Sequence, residues 1–312
     1  MPTKSQIHID AALSNFLVAT ANNQYVIEKL LPVIQVTKES DKYFIFDAAE
    51  KRKIVTDAGR AIGAKSKEID FAYGSGTFSC QEDALSHAIA DRSRALADEP
   101  IKLEQDAVLM LKEKLLLNAE YQGLDKLLVT GGLPANVPSV KWDASSGTIT
   151  IEKNIDNAGE NVAAKVGVDP NTIALSPTVA KVVKRDSTIA TILQAMYNGN
   201  GEAVLLAQRL GGLPPVLFGL EVVLVGGLRN TANEGQTASL SRLMGDDVLV
   251  AYVTPRPSIY NVSLGYTFKS QDWVVSSWRE PGRKSDIYEV SHVFDQVLTS
   301  VNSGELIDNV LA

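Results

Sequence analysis

Alternating runs of apolar and polar positions open the chain and a helical period replaces them later. Residues 1–33 combine a weak helical pattern from Ala11 to Leu31 with small polar residues, and Pro32 ends the stretch; it reads equally as a terminal helix or an extended arm. Val33-Ile34-Gln35-Val36 and Lys42-Tyr43-Phe44-Ile45-Phe46 read as strands flanking Glu39-Ser40-Asp41, and Glu68 to Phe78 alternates again until Gly74-Ser75-Gly76 interrupts it. Between these arms lies a polar tip of about twenty residues with little to bury, an unusual length for a loop inside a compact unit. A two-stranded ribbon is marginal in water by itself, so residues 34–79 are expected to find packing partners on another chain.

Beyond the ribbon the period becomes helical. Ala84 to Leu96 is expected to form a short helix, with Glu82-Asp83 suited to its start. A second helix is expected from about residue 100, with Pro100 in the first turn and Asp98 or Glu99 as N-cap. Leu103, Ala107, Val108, Leu111, Leu115 and Ala119 recur at three- and four-residue spacing, while Lys102, Glu104, Lys112, Glu113 and Lys114 fall mostly off that face. This helix of about six turns ends near Gln122-Gly123 and spans about 30 Å. Gly131 to Gly147 is loop-like. Helices follow at Ile155 to Val166, Pro177 to Lys184 and Ala203 to Leu210, with strands at Thr172 to Leu175 and Glu221 to Val225. The last third is strand-rich: Val248 to Val253, Val262 to Phe268, Trp273 to Trp278, Ile287 to Phe294 and Val297 to Val301. The class is α+β, without a fixed-period repeat.

Composition narrows function more than fold. A formal net charge of −7 argues against a dedicated nucleic-acid binder. The single Cys80 excludes a disulfide scaffold and fits a reducing compartment. No signal peptide is read at Met1-Pro2-Thr3-Lys4, and Leu213 to Leu228 is too short and broken for a membrane span, so a soluble, cytoplasmic chain is expected.

Residue patterns that carry chemistry are few and incomplete. Gly59-Arg60-Ala61-Ile62-Gly63-Ala64-Lys65-Ser66 has three residues between its glycines and Ala64 before the lysine, whereas a phosphate loop needs four and none. Gly199-Asn200-Gly201 lacks a third glycine and marks a turn. Ser263 lacks the first glycine of a nucleophile elbow and reads as a strand residue. His8, His87 and His292 are scattered, His87 on a helix surface and His292 within a strand pattern. Asp246-Asp247 suits a solvated turn better than a metal. No catalytic, cofactor or metal site is expected. The sharpest charge feature is the basic cluster Lys51, Arg52, Lys53, Arg60, Lys65 and Lys67 on the ribbon tip. It reads as a solvated loop tip, as a nucleic-acid contact lacking an aromatic to stack a base, or as a docking element for an acidic face of a neighbouring copy.

The order of these parts resembles a tailed-phage major capsid protein of the HK97-like fold. Local text is also similar: Asp169-Pro170-Asn171-Thr172-Ile173-Ala174-Leu175-Ser176-Pro177-Thr178-Val179 resembles the axial strand-then-helix. Gly265-Tyr266-Thr267-Phe268 with Trp278 resembles the peripheral strands, and Phe294-Asp295 through Gly304-Glu305-Leu306-Ile307-Asp308-Asn309 the terminal strands. The resemblance implies an N-terminal arm at 1–33 and an extended β-ribbon (E-loop) at 34–79. It implies a peripheral (P) domain at 80–124 and 255–290 with a spine helix at about 100–122, and a mixed axial (A) domain at 125–254 and 291–312.

The implied function is structural: hexamers and pentamers closing into an icosahedral shell around double-stranded DNA, with no enzymatic activity and no cofactor. Scaffold, portal and decoration proteins are implied partners, DNA is enclosed without sequence-specific binding, and no membrane is involved. The implied location is the virion capsid, assembled in the host cytoplasm. A wall that is not basic suits this, since strong attraction would hold the genome on it. The alternatives are an encapsulin-like nanocompartment shell, a cytosolic α+β enzyme, and an oligomeric tail or tube protein.

Overall fold

The computed structural model describes residues 8–9, 13–14, 17, 25–45, 54, 59–60, 62–63, 65–68, 74–96, 103–144, 150–186, 189, 213–256 and 262–312. Its amino-terminal part contains a strand His8–Ile9 (β1), one helical turn Ile27–Leu30 (α1) and a strand Val33–Gln35 (β2). Ser40–Ile45 (β3) and Gly74–Ser79 (β4) pair antiparallel as the expected ribbon, in register from Ser40 opposite Ser79 to Ile45 opposite Gly74.

Gln81–Ala90 (β5) then departs from expectation: it is a ten-residue strand, and helix begins only at Asp91–Leu96 (α2). Alanine, leucine and glutamate there favour helix locally, but ten consecutive residue pairs with a neighbouring strand override that preference. Glu82 and Asp83 accordingly open a strand, and His87 is exposed on a strand. The long helix Leu103–Asp125 (α3) matches the apolar period and continues into a wider π-type turn, Lys126–Thr130, so it does not stop at Gly123. The expected cap residues, Asp98 and Glu99, lie outside the described residues.

The middle of the chain supplies Ala135–Asn136 (β6), Ile151–Val166 (α4), Thr172–Leu175 (β7), Pro177–Arg185 (α5), Val216–Leu217 (β8), Leu220–Leu224 (β9), Leu228–Asn230 (β10), Leu240–Arg242 (β11) and Val248–Ala251 (β12). Local chemistry sets the end of one helix and the start of the other. Gly167 closes α4 in the left-handed region (φ 69°). Ser176 caps α5 by accepting the Val179 N–H, with Pro177 in the first turn. Residues 203–210, read as helix, lie outside the described residues.

The two pairs of strands expected near the end merge into two long ones, Gly265–Glu280 (β13) and Ser285–Leu298 (β14), before Gly304–Ile307 (β15). The polar residues Ser270, Gln271 and Asp272, which lie between the two strands expected there, sit at register irregularities within one strand. Ser263 falls just before β13 and not within a strand. β14 runs unbroken through residues 290 and 291, so one sheet spans the division expected there.

Two sheets result. The first runs β1-β13-β14-β5, with β2 pairing parallel to β13. Helix α3 lies across it: Val108, Leu111 and Leu115 pack with Ile89, Trp273, Val275 and Val290. The second runs β6-β15-β12-β7-β9-β8. Its strands β15, β12 and β7 are buried on both faces, and the alternation shows in the packing. Ile173, Leu175, Val248 and Val250 meet α4 and α5, whereas Ala174, Leu249 and Ala251 face the opposite way. That second face meets Val26, Ile27, Leu30 and Leu31 from the arm root, Leu124 and Leu127 from the spine, and Leu264. The arm root is thus a wedge shared by both sheets. Among the described residues no helix is long and apolar enough to cross a membrane.

Candidate functional site

The ribbon is fixed at its root and exposed beyond it. Phe78 on β4 stacks on Phe268 of β13 with ring centroids 4.4 Å apart, and Tyr43 on β3 lies 5.7 Å from the same ring. Ile34, Val36, Cys80, Tyr266 and Val293 complete this small core. The Cys80 N–H donates to the Glu39 carbonyl (2.7 Å) and the Ser79 N–H to Asp295 Oδ2 (3.0 Å), while Asp295 Oδ1 pairs with Lys126 at 3.3 Å. Across the ribbon, Gly76 faces Tyr43, whose ring folds over it; a Cβ built on Gly76 would stand 2.4 Å from that ring. Cys80 is buried in this core, and that burial raises its thiol above the usual range.

Outward from this root Phe44, Ile54 and Ile62 are exposed apolar side chains. Of the basic cluster, Arg60, Lys65 and Lys67 are exposed, Lys65 pairing with Glu68 at 2.7 Å, while Lys51, Arg52 and Lys53 lie outside the described residues. The near-phosphate loop has its described members exposed, with open space where Gly59 and Gly63 would carry a Cβ.

The arm is held to the spine by two charged side chains that the helical pattern did not single out. Val108, Lys112, Leu116, Glu120 and Leu124 form one i, i+4 row along α3. Lys112, expected off the apolar face, is buried, and its Nζ donates to the Leu17 carbonyl. Glu120 is wholly buried, and its carboxylate accepts the N–H groups of Val26 (3.0 Å) and Ile27 (2.7 Å). Those are two of the orphan donors that begin α1, so a side chain from the spine caps the arm's helix. Burial raises the Glu120 carboxyl above its usual range, against those hydrogen bonds. Charged residues spaced in phase with leucines were the signal in the sequence.

Beside this clamp, Tyr25, Ile27, Glu28, Lys112, Lys269, Asp272, Trp273, His292 and Gln296 border a cavity of about 250 Å³. His292 is buried, stacked on Trp273 at 4.2 Å and leaning on Phe294 at 4.5 Å. At the other end of β14, Arg279 grips Asp91 (2.5 Å) and Asp286 (3.1 Å), and Arg94 grips Asp286 (2.7 Å) and Glu104 (3.0 Å). This network ties α2, α3 and the β13–β14 hairpin together. The guanidiniums hold both aspartates below the usual carboxylate range.

Gly199-Asn200-Gly201 lies outside the described residues, whereas Ser263 and Asp247 each accept a backbone N–H. Ser263 Oγ accepts the Thr254 N–H (3.2 Å), and Asp247 accepts the Asn309 N–H (2.9 Å), pinning the terminal segment. Among the described residues no group of three His, Cys, Asp or Glu could hold a metal.

The chain matches no protein-family model. It is 22% identical over 312 residues to the major capsid protein of Burkholderia phage BcepMu, covering 97% of this chain and 96% of that one. Among solved structures, a phage-related protein from Bordetella bronchiseptica RB50 superposes with a TM-score of 0.69 at 21% identity, over 97% of both chains. The capsid of the cyanophage P-SCSP1u gives 0.62 at 12% identity, over 92% of this chain and 89% of that one. The fold is that of HK97-like phage capsid proteins, an α+β architecture.

Proposed function

We propose that this chain is the major capsid protein of a tailed phage, a structural and non-enzymatic subunit whose copies form hexamers and pentamers and close into an icosahedral shell around double-stranded DNA. The observation that carries this reading is the alignment, end to end, of a chain with a capsid fold to a curated phage major capsid protein. In this reading the first sheet with α3 is the peripheral domain and the second sheet with α4 and α5 the axial domain. The ribbon, rooted on Phe268, reaches a neighbouring subunit and uses Lys51, Arg52, Lys53, Arg60, Lys65 and Lys67 to dock there. Each such contact is weak, and hundreds of repeats make the closed shell stable. Assembly in the host cytoplasm, with scaffold, portal and decoration partners, belongs to the same proposal.

Electron microscopy of the purified protein, alone and with any scaffold, tests it. Rings of five or six subunits or closed hollow particles are expected; a chain that stays monomeric under every assembly condition overturns it. The contents of particles recovered from the native host separate a genome container from an encapsulin-like shell holding a protein cargo.

A further inference from the structure

The cavity between the arm root, the spine and the first sheet contains a buried titratable group that the shell reading does not use. His292 sits in the middle of β14, sandwiched by Trp273 and Phe294, and its Nε2 has no hydrogen-bond partner among the described residues. Around it stand two ammonium groups. Lys112 Nζ from α3 and Lys269 Nζ from β13 both lie over the Trp273 ring, at 5.7 and 6.0 Å from its centroid. Asp272 on β13 pairs with Lys269 at 3.3 Å, and Glu28 on α1 reaches the same lysine at 3.7 Å. Tyr25 and Gln296 complete the polar lining, and Asp83 is the ladder partner of His292 on β5. The arm therefore covers the imidazole from one side and is held by the lysine, Lys112, that bonds Leu17.

We propose that His292 holds the arm root, Leu17 and Tyr25–Glu28, over this cavity only while it is neutral, so that acid loosens the arm from the helix–sheet body. Protonation would place a third cation beside Lys112 and Lys269 on a buried ring, where burial disfavours the charged form. Releasing the arm opens the cavity and lets the imidazolium be hydrated.

The sign follows from linkage. Burial first, then Lys269, press the His292 pKa down to about 4, whereas an opened site returns it toward about 6.5. The open form thus binds more protons, and docking weakens as pH falls from about 6.5 toward 4. Glu120 acts in the opposite sense: its carboxyl is raised in the docked state, so protonating it favours docking. The inference concerns the subunit itself and stands apart from the shell reading; a subunit that never assembled could still show it.

Hydrogen exchange read by mass spectrometry tests it on the whole chain. After correction for intrinsic exchange, protection in a peptide covering residues 25–31 is expected to fall by about tenfold or more between pH 7.5 and 5. A peptide covering Val248–Ala251 in the second sheet should stay protected. His292→Phe keeps the aromatic stack and removes the titration, so its arm root should stay closed over that range. NMR of the three histidines in the wild-type chain provides a readout that needs no variant: one should titrate near 4. Loosening that is equal in the variant, protection lost together with the second sheet, or all three histidines titrating near 6.5 would each overturn the proposal.

Discussion

Glu120 and Lys112 carry charge on the stripe of α3 that faces the core, and each is there to bind backbone of the arm. The carboxylate satisfies the Val26 and Ile27 N–H groups that would otherwise be buried without partners. Glu120→Ala leaves both donors unsatisfied and is expected to lower stability by about 2–3 kcal/mol. Glu120→Gln keeps a carbonyl acceptor and removes a charge whose burial is unfavourable, so it should stay within about 1 kcal/mol of the wild type. Urea denaturation at pH 7 distinguishes the two; an equal loss in both variants would mean the charge itself is required. The amide should also gain on the wild type as pH rises. A raised folded-state carboxyl contributes stability that is lost as pH climbs through the titration. At this scale the sequence was half readable. The period located α3, but it placed Lys112 outside, because a lone lysine in phase with leucines is usually a solvated one.

Elements were legible where local preference and tertiary demand agree. Thr172–Leu175 and Pro177–Arg185 come out as read, the strand buried on both faces and the helix opened by a serine cap and proline. Gln81–Ala90 was misread because its helix-favouring composition says nothing about β14, two hundred residues away, which supplies the whole ladder. The continuity of β13 through Ser270, Gln271 and Asp272 was hidden for a related reason. Polar residues at a bulge look like a turn unless the partner strand is seen continuing past them. The ribbon was legible from a mismatch: strand-like arms without enough to bury. Its root has a core, since Phe78 and Tyr43 close on Phe268, and that makes the distal part separable. Deleting residues 48–68 and joining the arms by a short glycine-serine turn should leave circular dichroism and the thermal midpoint nearly unchanged. Light scattering should then show no assembly. Loss of folding would mean that the tip belongs to the subunit's own core.

Across the whole molecule the charges are unevenly shared. The tip between residues 48 and 68 carries six basic residues against Glu50, Asp57 and Glu68, within a chain of net −7, so the rest of the subunit is more acidic than the total indicates. Opposite fields of this kind speed encounter and fix orientation more than they add to final affinity. They are also screened by salt over about 10 Å at 0.1 M. Replacing Lys51, Arg52, Lys53, Arg60, Lys65 and Lys67 by glutamate should therefore slow assembly by more than about tenfold at low salt. The monomer's thermal midpoint should change little, because the described members of the cluster are exposed. Raising salt should slow the wild type and speed the variant, bringing the two rates together. Those rates can be followed by light scattering at matched subunit concentration. Equal rates with equal salt slopes would show that the tip docks through Ile54, Ile62 and its backbone, with its charges serving only to keep an exposed loop solvated.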